Sequence, residues 1–118
     1  MSHRRWAFRI QDMLAAARKI ERYTEGLTFE DFVQDEKTID AVIRQLIIIG
    51  EAASHIPQDI LSRYPDMPWA EIRGMRNVIV HEYFGVNIRI VWETVKGNLP
   101  ELRSRLERLR TELEEDPC

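Results

Sequence analysis

The sequence predicts an all-α protein, an antiparallel bundle of four to five helices. Two observations carry that expectation. Apolar residues recur at steps of three and four along most of the 118 positions, the spacing that lines one side of a helix. No segment alternates apolar and polar residues as a half-buried strand does, and 5 Gly and 5 Pro are few for a many-turned all-β chain. Hydrophobic residues at 44% and charged residues at 31% match an ordinary globular domain. One domain across residues 1–118 suits the length.

The first stripe is Trp6, Ile10, Met13, Ala17, Ile20 and Thr24, with Gly26 as its stop signal. Residues 1–22 carry six basic and two acidic side chains, whereas residues 23–40 hold six acids and one lysine. The acidic stretch reads as a solvated turn and helix start. A second helix is expected to open with Thr38 as N-cap and to run through Ile39, Val42, Ile43, Leu46, Ile49 and Ala53 to Pro57. Its middle is apolar nearly all round, which predicts a central helix covered on several sides.

A short piece follows from Gln58 to Tyr64, then a turn at Pro65-Asp66-Met67-Pro68. The next helix is expected from Trp69 to about Tyr83, ending at Gly85. The last stripe, Ile88, Val91, Val95, Leu99, Leu102, Leu106, Leu109 and Leu113, keeps its phase through Pro100. That predicts one kinked helix rather than two unrelated ones. Its outer face alternates charges, and Trp92 on its flank is a candidate for part of a dimer seam.

Several function classes are excluded or disfavoured. Cys118 is the only cysteine, so there is neither an intrachain disulfide nor a cysteine-built zinc site. The longest purely apolar run, Leu46 to Ile49, is far short of the roughly 18 residues that would span a bilayer. The first ten residues lack the apolar core of a signal peptide. A soluble, cytoplasmic chain with no membrane association is the expectation. A net charge of −3 supplies no broad positive field for nucleic acid. Phosphate loops, nucleophile elbows, dinucleotide fingerprints and zinc-protease motifs are absent. His3, His55 and His81 show no metal-ligand spacing, and no cofactor or metal is expected.

One segment, Arg73 to Gly85, is chemically distinct. On a helix, Arg76, Asn77, His81 and Tyr83 fall within about 80° of Arg73, gathering cation, amide, imidazole and phenol on one arc. Ile72, Met75, Val78 and Ile79 take the other side. A guanidinium can bind two phosphate oxygens and stabilise added negative charge. An imidazole that titrates near neutrality can move a proton to or from a ribose or leaving oxygen. The residue types alone leave a structural alternative open. An Arg and a His five apart are commonplace on a helix, a His near a helix C-terminus often meets terminal carbonyls, and Tyr83 can pack with Phe84.

The run Arg76-Asn77-Val78-Ile79-Val80-His81-Glu82-Tyr83 resembles the Arg-x4-His-x-Tyr signature of HepT-type toxins in the HEPN superfamily. Ile47 to Ala53, Pro68-Trp69, Val91 to Val95 and Leu99-Pro100 are similar to runs of that family along nearly the whole chain. The resemblance implies a dimeric HEPN-like bundle whose two motifs face a shared cleft. It also implies a metal-independent endoribonuclease that is the toxin of a type VII toxin–antitoxin system. Its cognate partner, a minimal nucleotidyltransferase, would silence it by transferring AMP to Tyr83. On this mapping Arg76 binds the scissile phosphate of the RNA substrate and His81 is general acid or base. Asn77 orients substrate or the partner motif, and Glu51 supports the site. Arg4, Arg5, Arg9, Arg73 and Arg89 are either supplementary contacts to the RNA backbone or solvated surface. Tyr23, Phe29, Phe32 and Tyr64 read as packing rather than a base-stacking platform. The competing reading is a non-catalytic helical module, or a nucleotide-binding partner subunit of a nucleotidyltransferase.

Overall fold

The computed structural model describes residues 3–74 and 87–115, with side chains over 6–74 and 87–113. All regular structure among these residues is helical. Helix α1 (His3–Thr24) buries Trp6, Ile10, Met13, Leu14, Ala16, Ala17 and Ile20, the expected stripe widened by a neighbouring row. Thr24 is also buried, and its hydroxyl donates to the Ile20 carbonyl at 2.9 Å, so no polar atom is left unpaired there. The chain then turns at Gly26, whose φ of 77° lies in the left-handed region that favours glycine.

The acidic stretch is more ordered than a solvated turn. It contains α2 (Phe29–Val33), opened by a reciprocal cap between Thr28 and Asp31 and anchored by fully buried Phe32. Helix α3 (Glu36–Ser54) begins before the expected Thr38 cap, because Asp35 is the N-cap. The Asp35 carboxylate accepts from the Thr38 amide at 3.1 Å and from its hydroxyl at 2.6 Å. Those two hydrogen bonds from Thr38 hold Asp35 below its ordinary value. As its composition implies, α3 is central: Ile39, Val42, Ile43, Gln45, Leu46, Ile49, Gly50, Ala52 and Ala53 are buried.

Helix α4 (Gln58–Arg63) occupies the short piece expected there, and α5 is helical over 69–74. From Ile88 to Glu115 the chain is one continuous helical run: α6 (Ile88–Glu93), a π-turn (Thr94–Asn98) and α7 (Leu99–Glu115). The irregularity predicted from Pro100 is taken up just ahead of it. The Leu99 amide donates to Thr94, five residues back, and Pro100 has no amide to continue an α-helical ladder. Val91, Val95, Leu99, Leu102, Leu106, Leu109 and Leu113 stay buried through it.

Helix α1 lies between α3 and α7, while α2 packs on α3 and α6. Two ion pairs fasten α1 to α7, Arg18–Glu107 at 2.9 Å and Arg103–Glu21 at 2.7 Å, and Arg103 also pairs with Glu107 within α7 at 2.9 Å. Among the described residues no helix is long and apolar enough to cross a membrane.

Candidate functional site

Arg76, Asn77, His81 and Tyr83 lie outside the described residues, and so do Cys118 and the side chains of Arg4 and Arg5. What the structure defines is the pair of supports on either side of the motif segment. On the upstream side, Trp69 is buried and its indole N–H donates to the Tyr64 carbonyl at 3.0 Å. The Tyr64 ring meets Trp6 of α1 at 6.5 Å between centroids. Met67 and Ile72 are buried in the same cluster, and the Ile72 amide donates to Pro68 at 3.0 Å. The expected apolar side of this helix is thus turned to the core at Ile72, and its neighbour Arg73 is half-buried.

On the downstream side, Asn87 caps α6. Its Oδ1 accepts from the amides of Arg89 and Ile90 at 3.0 and 3.2 Å. Buried Val91 and Val95 fix that helix to the bundle. Both ends of the motif segment are therefore tied to one hydrophobic core.

Glu51 lies on the outer side of α3, and its Oε1 is 3.1 Å from His55 Nε2, with both side chains about half exposed. His55 follows the last residue of α3 and caps it. In the sequence it carries no metal-ligand spacing. The signal that was there is its position one helical turn beyond Glu51, where side chains meet. Among the described residues no group of three or more His, Cys, Asp or Glu is placed to hold a metal ion.

Beside the upstream support runs a cleft of about 540 Å³ lined by Pro68, Glu71, Ile72, Thr94, Asn98, Glu101, Leu102 and Arg105. Arg105 is spent on Glu101 at 2.8 Å and on the Asp66 carbonyl. With Glu71 and Glu101 on its walls, this cleft opposes a phosphate rather than attracting one.

Arg89 is different. Its guanidinium carbon sits 4.2 Å from the centroid of the Phe29 ring. Phe29 is 6.2 Å from Trp92, which lies 5.1 Å from buried Phe32. Phe32 packs as expected, but Phe29 also carries an arginine. Trp92 is engaged inside the chain against α2, with Lys96 Nζ 4.9 Å above its ring. One side of it is taken up by α2, the helix the sequence did not reveal, and Trp92 stays half-buried.

The family model described as Ribonuclease HepT-like matches residues 13–109, which include the whole motif segment. A protein of Thermococcus cleftensis named "Probable ribonuclease HepT" is 46% identical over 101 residues, covering 86% of this chain and 92% of its own. A Caldanaerobacter subterraneus protein with RNase in its name is 46% identical over 90 residues, or 76% of this chain and 80% of its own. One from Methanocaldococcus jannaschii, also with RNase in its name, is 40% identical over 106 residues, or 90% and 91%. No solved structure matches the chain.

Proposed function

The chain belongs to the HepT-like ribonuclease family, and from that premise we propose that it is a metal-independent endoribonuclease whose reacting groups are Arg76 and His81. The observation that carries this reading is the family match across residues 13–109 with Arg76-x4-His81-x-Tyr83 inside it. RNA supplies its own nucleophile. The ribose 2′-oxygen bonds to phosphorus, the bond from phosphorus to the 5′-oxygen breaks, and a 2′,3′-cyclic phosphate and a 5′-hydroxyl result. His81 takes the 2′-hydroxyl proton or gives one to the leaving oxygen. Arg76 binds the non-bridging oxygens and offsets the charge that grows on them. Asn77 and Arg73 orient the strand, and Glu51 supports the site from α3.

The same reading makes the chain a cytoplasmic homodimer and the toxin of a type VII toxin–antitoxin pair. Its partner is a minimal nucleotidyltransferase. In the silencing step the Tyr83 phenolic oxygen bonds to the α-phosphorus of ATP, pyrophosphate leaves, and the phenol proton goes to solvent. The added AMP fills the cleft and repels RNA phosphate by like charge.

Purified protein incubated with RNA in EDTA tests the activity. Cyclic phosphate ends are expected, with cleavage lowered at least about 100-fold in His81→Ala and in Arg76→Ala at unchanged helicity. Cleavage retained by His81→Ala overturns the mechanism. One observation favours the second reading, a non-catalytic module: a net charge of −3 on a proposed RNA-binding chain. Tight binding of the nucleotidyltransferase with no RNA cleavage would establish it.

A further inference from the structure

The cleft beside the upstream support is walled by the two segments that bracket the motif in the chain. Pro68, Glu71 and Ile72 precede it, while Thr94, Asn98, Glu101, Leu102 and Arg105 lie on the helical run that follows it. Glu71 is five residues from Arg76, so their Cα atoms are within about 18 Å whatever path the chain takes. The stretch from Thr94 to Asn98 is the π-turn, a distortion found frequently at functional sites.

Most polar groups of the cleft are already spent. The Thr94 hydroxyl donates to the Ile90 carbonyl at 2.9 Å, and Arg105 binds Glu101 at 2.8 Å as well as the Asp66 carbonyl. Two polar side chains remain. Glu71 and Asn98 are exposed, and neither side chain makes a hydrogen bond or ion pair among the described residues. Buried Ile72 and Leu102, with half-buried Pro68, give the same cleft an apolar lining. Its volume of about 540 Å³ is that of a small-molecule site.

A nucleobase has the matching division, with apolar faces and a polar edge. A carboxylate only accepts hydrogen bonds, at two oxygens. Of the four bases, guanine alone sets two neighbouring N–H donors, at N1 and N2, on its Watson–Crick edge, with the O6 acceptor beside them. An amide can donate to that O6. Adenine and cytosine place a ring-nitrogen acceptor next to their amino group, and uracil flanks one donor with two carbonyls. Each would turn a lone pair toward the carboxylate. The charge that opposes a phosphate here thus suits a neutral base with paired donors.

We propose that this cleft reads an unpaired guanine of the RNA near the scissile phosphate, with Glu71 accepting from N1–H and N2–H and Asn98 donating to O6. The inference rests on the ribonuclease reading and adds a sequence preference to it. It also confines cleavage to single-stranded positions, because base pairing occupies the edge that is read.

Sequencing the 5′-hydroxyl ends that the full chain cuts from a random RNA pool tests this. Guanine is expected at one fixed offset from the break, and Glu71→Ala and Asn98→Ala are each expected to lower that preference, Glu71→Ala at least about tenfold. On a defined strand, inosine in place of that guanine removes only the N2 amino group. It is expected to lower wild-type kcat/KM about threefold or more and to leave that of Glu71→Ala unchanged, a split that a general loss of folding does not produce. Ends with no base preference at any fixed offset, or a guanine preference that survives Glu71→Ala, overturn this inference and leave the ribonuclease standing. A wild-type chain that cuts no RNA removes the ribonuclease reading instead. The base site is then judged by fluorescence anisotropy with a short single strand carrying one guanine or one inosine. Tighter binding of the guanine strand, lost in Glu71→Ala, upholds the site, and equal binding overturns it.

Discussion

Arg89 is placed against the field of its own helix. It is the second residue of α6, in the first turn, where the positive end of the helix dipole disfavours a cation. Glu93 lies one turn on, at a spacing that suits an ion pair, yet the guanidinium lies over Phe29 instead. That contact fixes one flat side and leaves the donors of an exposed side chain at the edge, the arrangement that binds two phosphate oxygens. Arg89 is eight residues from His81, so its Cα lies within about 29 Å of the His81 Cα whatever path the chain takes. On the ribonuclease reading it holds one phosphate of the bound strand. Removing one such contact from a single strand should flatten the slope of log K against log salt by about 0.7. We expect that change for Arg89→Gln in an RNA-binding titration with His81→Ala as the parent, and none for the charge-matched Lys37→Gln. Equal slopes in both variants would remove Arg89 from the RNA path. The sequence shows Arg89 and Phe29 only as a cation and an aromatic sixty positions apart. Their contact depends on α2 docking against α6, which no local pattern encodes. The motif residues were legible for the opposite reason, since one short run of sequence holds all of them.

Legibility among the elements follows length. Helices α1 and α3 span 22 and 19 residues, long enough for the apolar period to repeat and expose itself. The run from Ile88 to Glu115 was readable for the same reason, because its stripe continues through the π-turn. Helix α2 has five residues, too few for any period, and its single buried Phe32 gives no stripe. What defines it is the cap. The Thr28 hydroxyl accepts from the Asp31 amide and the Asp31 carboxylate accepts from the Thr28 amide, each at 3.1 Å. A helix this short is marginal by itself, so the cap and the contact of Phe32 with Trp92 carry it. Thr28→Ala should destabilise the chain by about 1 kcal/mol in urea unfolding. Because α2 packs on one side of Trp92, near-ultraviolet circular dichroism of the tryptophans should change with it. An unchanged midpoint and spectrum would mean that packing alone holds α2. The Asp35 cap was missed for a related reason: Thr38 suits a cap by type, and only the fold shows that it serves as donor to the stronger acceptor.

Across the whole molecule, the charges that alternate along α7 read in sequence as a solvated surface, and two of them, Arg103 and Glu107, instead clasp α1. The register between two helices more than seventy residues apart is not written in either one. Glu107 is the hub: Arg18 bonds one of its oxygens and Arg103 the other, each at 2.9 Å. The hydrogen bond from Arg18 first, and then Arg103, hold its carboxyl below the ordinary value of 4.5. A carboxylate whose value is depressed by folding adds stability that is fully present above the unfolded value. That stability disappears as pH falls through the folded value, because the unfolded chain takes up the proton first. The melting temperature of Glu107→Gln should therefore lie below that of the wild-type chain at neutral pH, and the gap should close as pH drops from about 5 toward 3. Added salt should narrow the gap at neutral pH, since these partners are partly exposed and screened. Asp35 has the same sign through its bonds from Thr38, so the Glu107→Gln chain should keep part of its acid sensitivity. A gap that stays constant from pH 7 to about 3 would show that Glu107 acts by packing rather than by charge. In that case the clasp between α1 and α7 would rest on Arg103 and Glu21, which lie 2.7 Å apart.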